Sequence, residues 1–320
     1  MWKLFADVLD HHRRIVDDQA RSDAFYEAIS AVVRPGDVVV DIGTGTGLLA
    51  IFAAQAGARR VYALETGAIA DVAEQLVAAN GFGAQVRIIR GSSLQVDLPE
   101  KADVVVSETL GDFGLGEGIV RTMADAKRRF LKPGGALIPG SFDLRLAPIE
   151  HPSLHAQLQA WRRPRLGVDF SCISAQACNN VYRSHLTPDM LLSDPETLCH
   201  VRLGEDTAVI SGSCEFIVRR GGVIHALGGW FHAELASGYR IDNQPPNQTS
   251  WKHAVLPVER PILVEPGDLV RAEVQCIGDE SAWRWSVSHY YRNALPTDFR
   301  TTRLSTLRGF PTAVQRLSAG

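Results

Sequence analysis

The sequence predicts two domains, an α/β domain with a doubly wound parallel sheet and an antiparallel β-barrel domain. In the first part of the 320-residue chain, short β-branched runs alternate with segments of helical spacing, a pattern typical of parallel α/β sheets. Beyond about residue 140, short strand-like runs follow one another without strong helices, as in barrels and sandwiches. We place the boundary near Pro139-Gly140, which gives domains over residues 1–139 and 140–320.

The elements of the first domain are bounded by breakers. Phe25, Ile29 and Val33 have helical spacing, and Gly57 and Gly81 lie where helices commonly end. Runs rich in valine and isoleucine suit buried parallel strands. We predict helices over 17–33, 48–56, 68–80 and 119–131, and strands over 37–42, 60–65, 85–90, 103–108 and 136–139.

The second domain reads as a series of strands separated by turn residues. Gly221-Gly222 separates two apolar runs, and this arrangement predicts a β-hairpin. Further strands are predicted over 254–264, 269–277 and 283–291.

Composition excludes several classes of protein. With 33 basic and 36 acidic residues, the net charge is −3, which does not favour nucleic acid or an anionic membrane as the main partner. The longest apolar runs are shorter than the roughly 20 residues that cross a bilayer, and the N-terminus lacks a signal-peptide core. Five cysteines without a CxxC pair argue against disulfides or bound metal, and we expect a cytoplasmic protein.

A glycine loop with an acidic partner predicts a nucleoside site. Asp41, Gly43, Gly45 and Gly47 follow the first predicted strand, and ligands bind open α/β sheets at that edge. Glu65 ends the second strand, where a carboxylate accepts ribose hydroxyls. The loop lacks the GxGxxG spacing of dinucleotide sites and the GK[ST] of a P-loop. It favours S-adenosylmethionine, with NAD or a plain glycine turn as alternatives.

Two glutamates follow the fourth predicted strand. Glu108 ends that strand, and Glu117 lies nine residues later, after a glycine-rich loop. Two converging carboxylates suit a planar cation with several donors, and guanidinium matches that geometry. The alternative is a pair of solvated loop acids.

These segments together resemble the protein arginine methyltransferase family. The resemblance covers nearly the whole chain, and the spacing of Glu108 and Glu117 is that of the family's double-E loop. Residues 249–252 lie where the family has its Thr-His-Trp loop, and 167–174 resemble the start of its dimerisation arm. The motifs that carry the likeness are VVDIGTGTGLLA, YALE, VSETLGDFGLGEG, RFLKPGGALIP and VERPILVEPGDLV.

The resemblance implies roles for further residues. Glu108 and Glu117 would be catalytic and bind the substrate, and Trp251 would wall the arginine pocket. Arg21 would pair with the carboxylate of S-adenosylmethionine, and Ser93 would contact its adenine. An arm over about 155–198 implies a homodimer.

Some residues depart from the family pattern. Leu94 replaces an acid that often binds the adenine amino group, and Phe5 is the candidate replacement for an absent aromatic lid. Ser250 stands where relatives have a histidine that pairs with an acid at the position of Asp18. That ion pair therefore cannot form in the same way.

The DIGTGTGLL loop and the Gly-Glu-Gly ending of the double-E loop are similar to those of the monomethylating branch. Two substrates remain open. One is free L-arginine, giving N-omega-methyl-L-arginine in a bacterial natural-product pathway such as that of streptozotocin, and the other is arginine in a protein or peptide. We favour free arginine, because nearly all basic residues are arginine, as in GC-rich bacterial genomes. A non-catalytic cofactor-binding scaffold and a nucleic-acid methyltransferase are further alternatives. Retention of both glutamates argues against the first, and the absence of a basic stripe argues against the second.

Overall fold

Five parallel strands form the sheet of the first domain in a computed structural model, which describes residues 2–247, 249–277, 282–291 and 299–306. The elements are α1 (Trp2–Val16), α2 (Gln19–Val32), β1 (Val38–Ile42), α3 (Leu48–Gln55), β2 (Arg60–Glu65), α4 (Ala70–Ala79), β3 (Val86–Arg90), β4 (Ala102–Ser107), α5 (Ile119–Arg129) and β5 (Leu131–Ile138). The strand order is β3-β2-β1-β4-β5, and every neighbouring pair is parallel.

The predicted strands of this sheet are confirmed, with one difference at β5. That strand begins at Leu131 rather than at Ala136, because the segment around Pro133-Gly134 continues as extended chain. Leu131 pairs with Ala102, and the register then shifts before Val104. A shift of this kind is how a sheet takes up extra residues in one strand.

The register of the sheet brings three strand ends to one level. Ile42 of β1 lies opposite Leu64 of β2 and Ser107 of β4. The next residues, Gly43, Glu65 and Glu108, therefore emerge together at the carboxyl edge. The order of the strands reverses beside β1, and this is where open α/β sheets bind ligands.

The second domain consists of antiparallel strands. They are β6 (Ser141–Ile149), β7 (Tyr182–Ser184), β8 (Glu196–Arg202), β9 (Val209–Ile217), β10 (Gly222–Ala236), β11 (Tyr239–Asp242), β12 (His253–Val264), β13 (Leu269–Ile277), β14 (Ala282–Tyr290) and β15 (Phe299–Ser305). One sheet has the order β7-β12-β10-β6-β8, with β11 paired to β10, and the other has the order β15-β14-β13-β9. Trp285 Nε1 donates to Pro257 O over 2.8 Å, which joins the two sheets through their core.

The predicted hairpin at Gly221-Gly222 is wrong. β9 pairs with β13, whereas β10 pairs with β6, β11 and β12, so the two strands lie in different sheets. Between them Val218 exchanges backbone hydrogen bonds with Gly267 and Asp268. Contacts with a distant segment therefore redirect the chain at the point where the local sequence favoured a turn.

A helical excursion separates β6 from β7. It contains α6 (Pro152–Gln159) and α7 (Ser171–Cys178), within the segment predicted as a dimerisation arm. Trp161, Leu166 and Val168 between these helices are exposed. Among the described residues, no helix is both long enough and apolar enough to span a membrane.

The two domains meet at the loop after β4. Phe113 of this loop is buried and stacks on Trp283 of β14, with the ring centroids 5.5 Å apart. The Phe113 ring also lies close to Gly229 of β10, where a Cβ atom would lie 2.8 Å from it. The second domain thus determines the position of a loop that the first domain supplies.

Candidate active site

A cleft of about 560 Å³ lies at the carboxyl edge of the parallel sheet, against the second domain. Its walls include residues of α1 and α2, the glycine loop, the loop after β4, Arg183 of β7 and the segment 250–252. Seven residues predicted to act in the site line it, namely Arg21, Gly43, Gly45, Glu65, Glu108, Glu117 and Trp251.

The glycine loop has a backbone conformation that residues with side chains rarely adopt. Gly43, Gly45 and Gly47 all have positive φ angles, of 71°, 55° and 87°. A Cβ atom on Gly43 would lie 2.8 Å from the Thr109 methyl group. The loop can therefore lie close to both β4 and a ligand, because it has no side chains there.

Asp41 supports this loop from below. Its side chain is fully buried and accepts a hydrogen bond of 2.5 Å from the Thr44 hydroxyl, while its second oxygen has no hydrogen-bond partner in the structure. Burial raises the pKa of the Asp41 carboxyl to about 7, with a further contribution from the charge of Glu65. Asp41 is not among the described residues that line the cleft. It therefore contacts the glycine loop on the side that faces away from the cleft.

Glu65 is tied to the loop on its other side. One carboxylate oxygen accepts from the Gly45 N–H at 3.0 Å, and the other accepts from the Gly67 N–H at 2.7 Å. A carboxylate oxygen has more than one acceptor position, so these contacts fix the orientation of Glu65 and leave it able to accept further hydroxyl groups. This geometry is compatible with the predicted ribose contact.

Glu108 already binds a guanidinium, that of Arg21. The Arg21 and Glu108 side chains form an ion pair and are both largely buried. The second oxygen of Glu108 is buried without a hydrogen-bond partner. Burial lowers the pKa of Arg21 to about 10, and the charges of Asp18 and Glu117 oppose this shift. The site therefore has the charge and the shape that a guanidinium requires.

Trp251 and Ser250 complete the surroundings of Arg21. The Arg21 guanidinium carbon lies 4.5 Å from the centre of the Trp251 ring, and one of its nitrogens donates to Ser250 Oγ at 3.0 Å. Trp251 also packs on Phe231 and donates through Nε1 to Leu110 O at 2.8 Å. Trp251 thus lines the cleft and is packed in the core, and its role as a wall of the arginine pocket stays a prediction.

Asp18 keeps a connection to the 249–251 segment despite the missing histidine. It caps α2 by accepting from the Arg21 N–H, and its second oxygen accepts from the Ser250 N–H. A backbone hydrogen bond thus takes the place of the side-chain ion pair that the family resemblance implies.

Asp112 is a residue of the cleft wall that the sequence reasoning missed. Its carboxylate forms a two-pronged ion pair with Arg183 and also accepts from the Lys252 N–H at 2.8 Å. Its carbonyl oxygen accepts from Asn243 at 2.8 Å. The position of Asp112 inside the double-E loop was an available signal. Arg183 offered none, because 71 residues separate it from Asp112.

Two other residues are described by their position, one beside the glycine loop and one outside the cleft. His12 had no assigned role, yet its ring lies over the glycine loop, 3.2 Å from the point where a Gly45 Cβ would be. Ser93 is buried, and its carbonyl oxygen accepts from Arg129 at 2.8 Å. It is not found among the described residues lining this cleft, so its adenine contact stays a prediction.

Comparison with known proteins agrees with this geometry. Residues 24–141 match the model "Ribosomal protein L11 methyltransferase (PrmA)", and residues 143–290 match "Arginine methyltransferase oligomerization subdomain". Protein arginine N-methyltransferase 6 of Danio rerio is 30% identical over 286 residues, which cover 84% of this chain and 82% of the relative. The chain belongs to the protein arginine N-methyltransferase family. It is therefore an enzyme, and its methyl donor is S-adenosylmethionine.

Other family members give the same picture. Protein arginine N-methyltransferase 1 of Chlamydomonas reinhardtii is 29% identical over 276 residues, covering 83% of this chain and 80% of the relative. The Trypanosoma brucei PRMT1 enzyme-prozyme complex with AdoHcy superimposes with a TM-score of 0.82 at 22% identity, over 92% of this chain and 97% of the other. Arabidopsis thaliana protein arginine methyltransferase 10 gives a TM-score of 0.78 at 25% identity, over 93% and 98%.

Proposed function

We propose that this methyltransferase acts on the guanidino group of arginine, held between Glu108 and Glu117. The ion pair between Arg21 and Glu108, with Trp251 against the guanidinium face, is the observation that carries the proposal. A carboxylate and an aromatic wall that already hold one guanidinium are suited to hold another. The buried, unpartnered oxygen of Glu108 offers an acceptor that a substrate N–H would satisfy.

The glycine loop, Glu65 and Arg21 are the residues that would hold the cofactor. Positive φ angles at the loop glycines permit close approach of a ligand, and Glu65 can accept ribose hydroxyls. Arg21 would pair with the cofactor's carboxylate. When bound, S-adenosylmethionine supplies a methyl group attached to a positively charged sulfonium.

Glu108 and Glu117 would act chiefly by positioning. The guanidinium of arginine stays protonated at any pH relevant to a protein, so its nitrogens are poor nucleophiles unless one is aimed at the methyl carbon. Such alignment can supply roughly 7–11 kcal/mol of the barrier reduction. The two carboxylates would also attract positive charge toward the nitrogens that they bind. The attacking nitrogen would then keep more electron density, which the transition state requires.

Replacing Glu108 tests this role. Glu108→Gln is expected to lower kcat by at least about 100-fold, because a neutral amide neither balances the guanidinium charge nor fixes its plane. Affinity for S-adenosylmethionine, measured by calorimetry, should change little. The exposed Glu27 of α2 offers the same substitution outside the cleft, and Glu27→Gln should behave as the parent enzyme. Turnover of Glu108→Gln close to that of the control would refute the clamp.

The guanidinium clamp by itself accepts either of two substrates. The names of the relatives favour arginine in a protein, whereas composition favours free L-arginine. For the product we propose monomethylarginine, by resemblance of the double-E loop. Mass spectrometry after incubation with L-arginine or an arginine-containing peptide gives both answers, since methylated products differ in mass by one methyl group each.

We also propose that the enzyme is a homodimer joined through the segment around α6 and α7. Trp161, Leu166 and Val168 expose 42%, 98% and 53% of their surface in the single chain. Apolar side chains grouped on one projecting segment mark an interaction surface. The family model that matches residues 143–290 is described as an oligomerization subdomain, which supports a second copy as the partner.

A further inference from the structure

The charges around the cleft are balanced. Its lining contains four acids, Glu65, Glu108, Asp112 and Glu117, and four permanently charged bases, Arg14, Arg21, Arg183 and Lys252. Glu65 and Arg21 belong to the proposed cofactor site, and Glu108 and Glu117 to the guanidinium clamp. Arg14, Arg183 and Lys252 are bases that neither role uses. We name two of them, Arg183 and Lys252, which Asp112 contacts, the basic rim.

Asp112 holds the basic rim beside the clamp. It lies in the loop between Glu108 and Glu117, forms a two-pronged pair with the Arg183 guanidinium and binds the Lys252 backbone. Phe113, the next residue, is anchored between the two sheets of the second domain. The rim is therefore attached to the same rigid loop as the catalytic glutamates.

The Arg183 side chain reaches solvent at the cleft mouth. It is 67% exposed, whereas the Asp112 carboxylate is only 9% exposed. The hydrogen bond to Asp112 raises the pKa of Arg183, and the charge of Glu117 acts in the same direction. A guanidinium presents five N–H donors. Asp112 accepts hydrogen bonds from two nitrogens of Arg183, so further N–H donors remain for another acceptor.

This arrangement is poorly suited to an arginine flanked by other basic residues. Lys252 would repel such a peptide, whereas the charge of Arg183 is already balanced by Asp112. The N–H donors of Arg183 that Asp112 does not use, together with Lys252, would attract an anion attached to the same substrate that places its guanidinium on Glu108. In free L-arginine, and in an arginine at a peptide C-terminus, that anion is the α-carboxylate.

We infer that Arg183 and Lys252 form a carboxylate site, which makes the enzyme specific for arginine that carries a free α-carboxylate. The inference rests on the proposed guanidinium methylation, and it adds the substrate class. Guanidinium–carboxylate pairs are strong and directional because two parallel hydrogen bonds can form. Arg183 is thus a specificity residue, at the opposite end of the substrate from Glu108.

The experiment compares substrates with and without the carboxylate. The enzyme and S-adenosylmethionine are assayed with L-arginine, L-argininamide, a peptide ending in arginine and the same peptide as its C-terminal amide. We expect kcat/KM for each acid to exceed that of its amide by about tenfold or more, the scale of one charge-assisted hydrogen bond. Turnover of both acids would indicate recognition of any terminal arginine, and turnover of L-arginine alone would indicate a free amino acid substrate.

Arg183→Ala tests the residue itself. It should raise KM for the two acids about tenfold and leave the amides nearly unchanged, with kcat little altered. A general disturbance of the loop would lower all four activities together, so the amides serve as an internal control. Arg183→Lys should be intermediate. Arg87→Ala, at an exposed arginine of β3, should match the parent enzyme.

Measuring the binding of substrates distinguishes failure of the carboxylate site from failure of the proposed function. Calorimetry on enzyme loaded with S-adenosylhomocysteine should show tighter binding of L-arginine than of L-argininamide, and Arg183→Ala should remove the difference. Equal use and equal binding of acids and amides would overturn the carboxylate site while leaving guanidinium methylation intact. If neither these four substrates nor a peptide with an internal arginine is methylated, the proposed function fails, and the binding difference still decides the carboxylate site.

Discussion

Asp41 places an ionisable group in a position without solvent. Its raised pKa, about 7 and caused first by burial, means that the folded protein holds a proton there which the unfolded chain, with a pKa near 3.9, releases. Between about pH 4 and pH 7 the folded state therefore binds more protons than the unfolded state. By linkage, this group lowers the free energy of unfolding as the pH rises through that window.

The isosteric variant Asp41→Asn should remove that dependence. The free energy of unfolding of the variant minus that of the parent is expected to rise with pH between 4 and 7, by at most about 1.4 kcal/mol per pH unit. Above pH 7 it should level off. Depressed carboxyl pKa values elsewhere, such as that of Asp103, are common to both proteins and cancel. Urea titrations at several pH values measure the difference, and parallel curves would contradict the assignment.

The loop between β4 and α5 connects the chemistry of one domain to the packing of the other. Gly111 permits its tight turn, since a Cβ atom there would lie 2.0 Å from Leu115 O. Gly114 donates back to Gly111 O over 2.8 Å. The turn sets the separation of Glu108 and Glu117, so a change at Gly111 should move one glutamate relative to the other.

Gly111→Ala is therefore expected to lower kcat by about 100-fold or more, the cost typical of a misplacement of about 1 Å. The obstructing atoms belong to the backbone and cannot rotate away. Affinity for S-adenosylmethionine should fall much less, because the glycine loop after β1 is a separate segment. Gly83→Ala is the matched control, since nothing lies within 4 Å of its added methyl group. Steady-state kinetics that left Gly111→Ala equal to Gly83→Ala would disprove this role of the turn.

Elements were predictable where one short segment determines its own structure. The valine-rich run of β1 is buried along its length, and that of β4 is buried at every residue except Asp103, so local composition located both strands within a residue or two. The hairpin at Gly221-Gly222 failed because β9 and β10 pair with strands far away in the chain. Glu108 and Glu117 were predicted from a motif within one loop, and both line the cleft. Arg183 was not, because its contact with Asp112 exists only in the folded chain.

The proposed assembly of two chains concerns the whole molecule. Trp161 and Leu166 lie on the projecting segment between α6 and α7, and Leu166 is 98% exposed. If a second copy covers this surface, replacing both residues by serine should yield a monomer in light scattering coupled to size exclusion. Leu263→Ser is a suitable control, because Leu263 is 65% exposed and lies on β12, outside the arm. A double variant with the same mass as the control would rule out this interface.

In the pair formed by Arg21 and Glu108, a side chain of the enzyme occupies part of the site that we propose for the substrate guanidinium. A tethered ligand experiences an effective concentration in the millimolar range or above when its linkage spans the site well. A substrate arginine that uses both oxygens of Glu108 would have to displace this internal guanidinium from one of them, so its apparent affinity would be lowered by the fraction of time that Arg21 occupies Glu108. Any event that draws Arg21 away from Glu108 therefore raises the affinity for substrate without a new contact to the substrate.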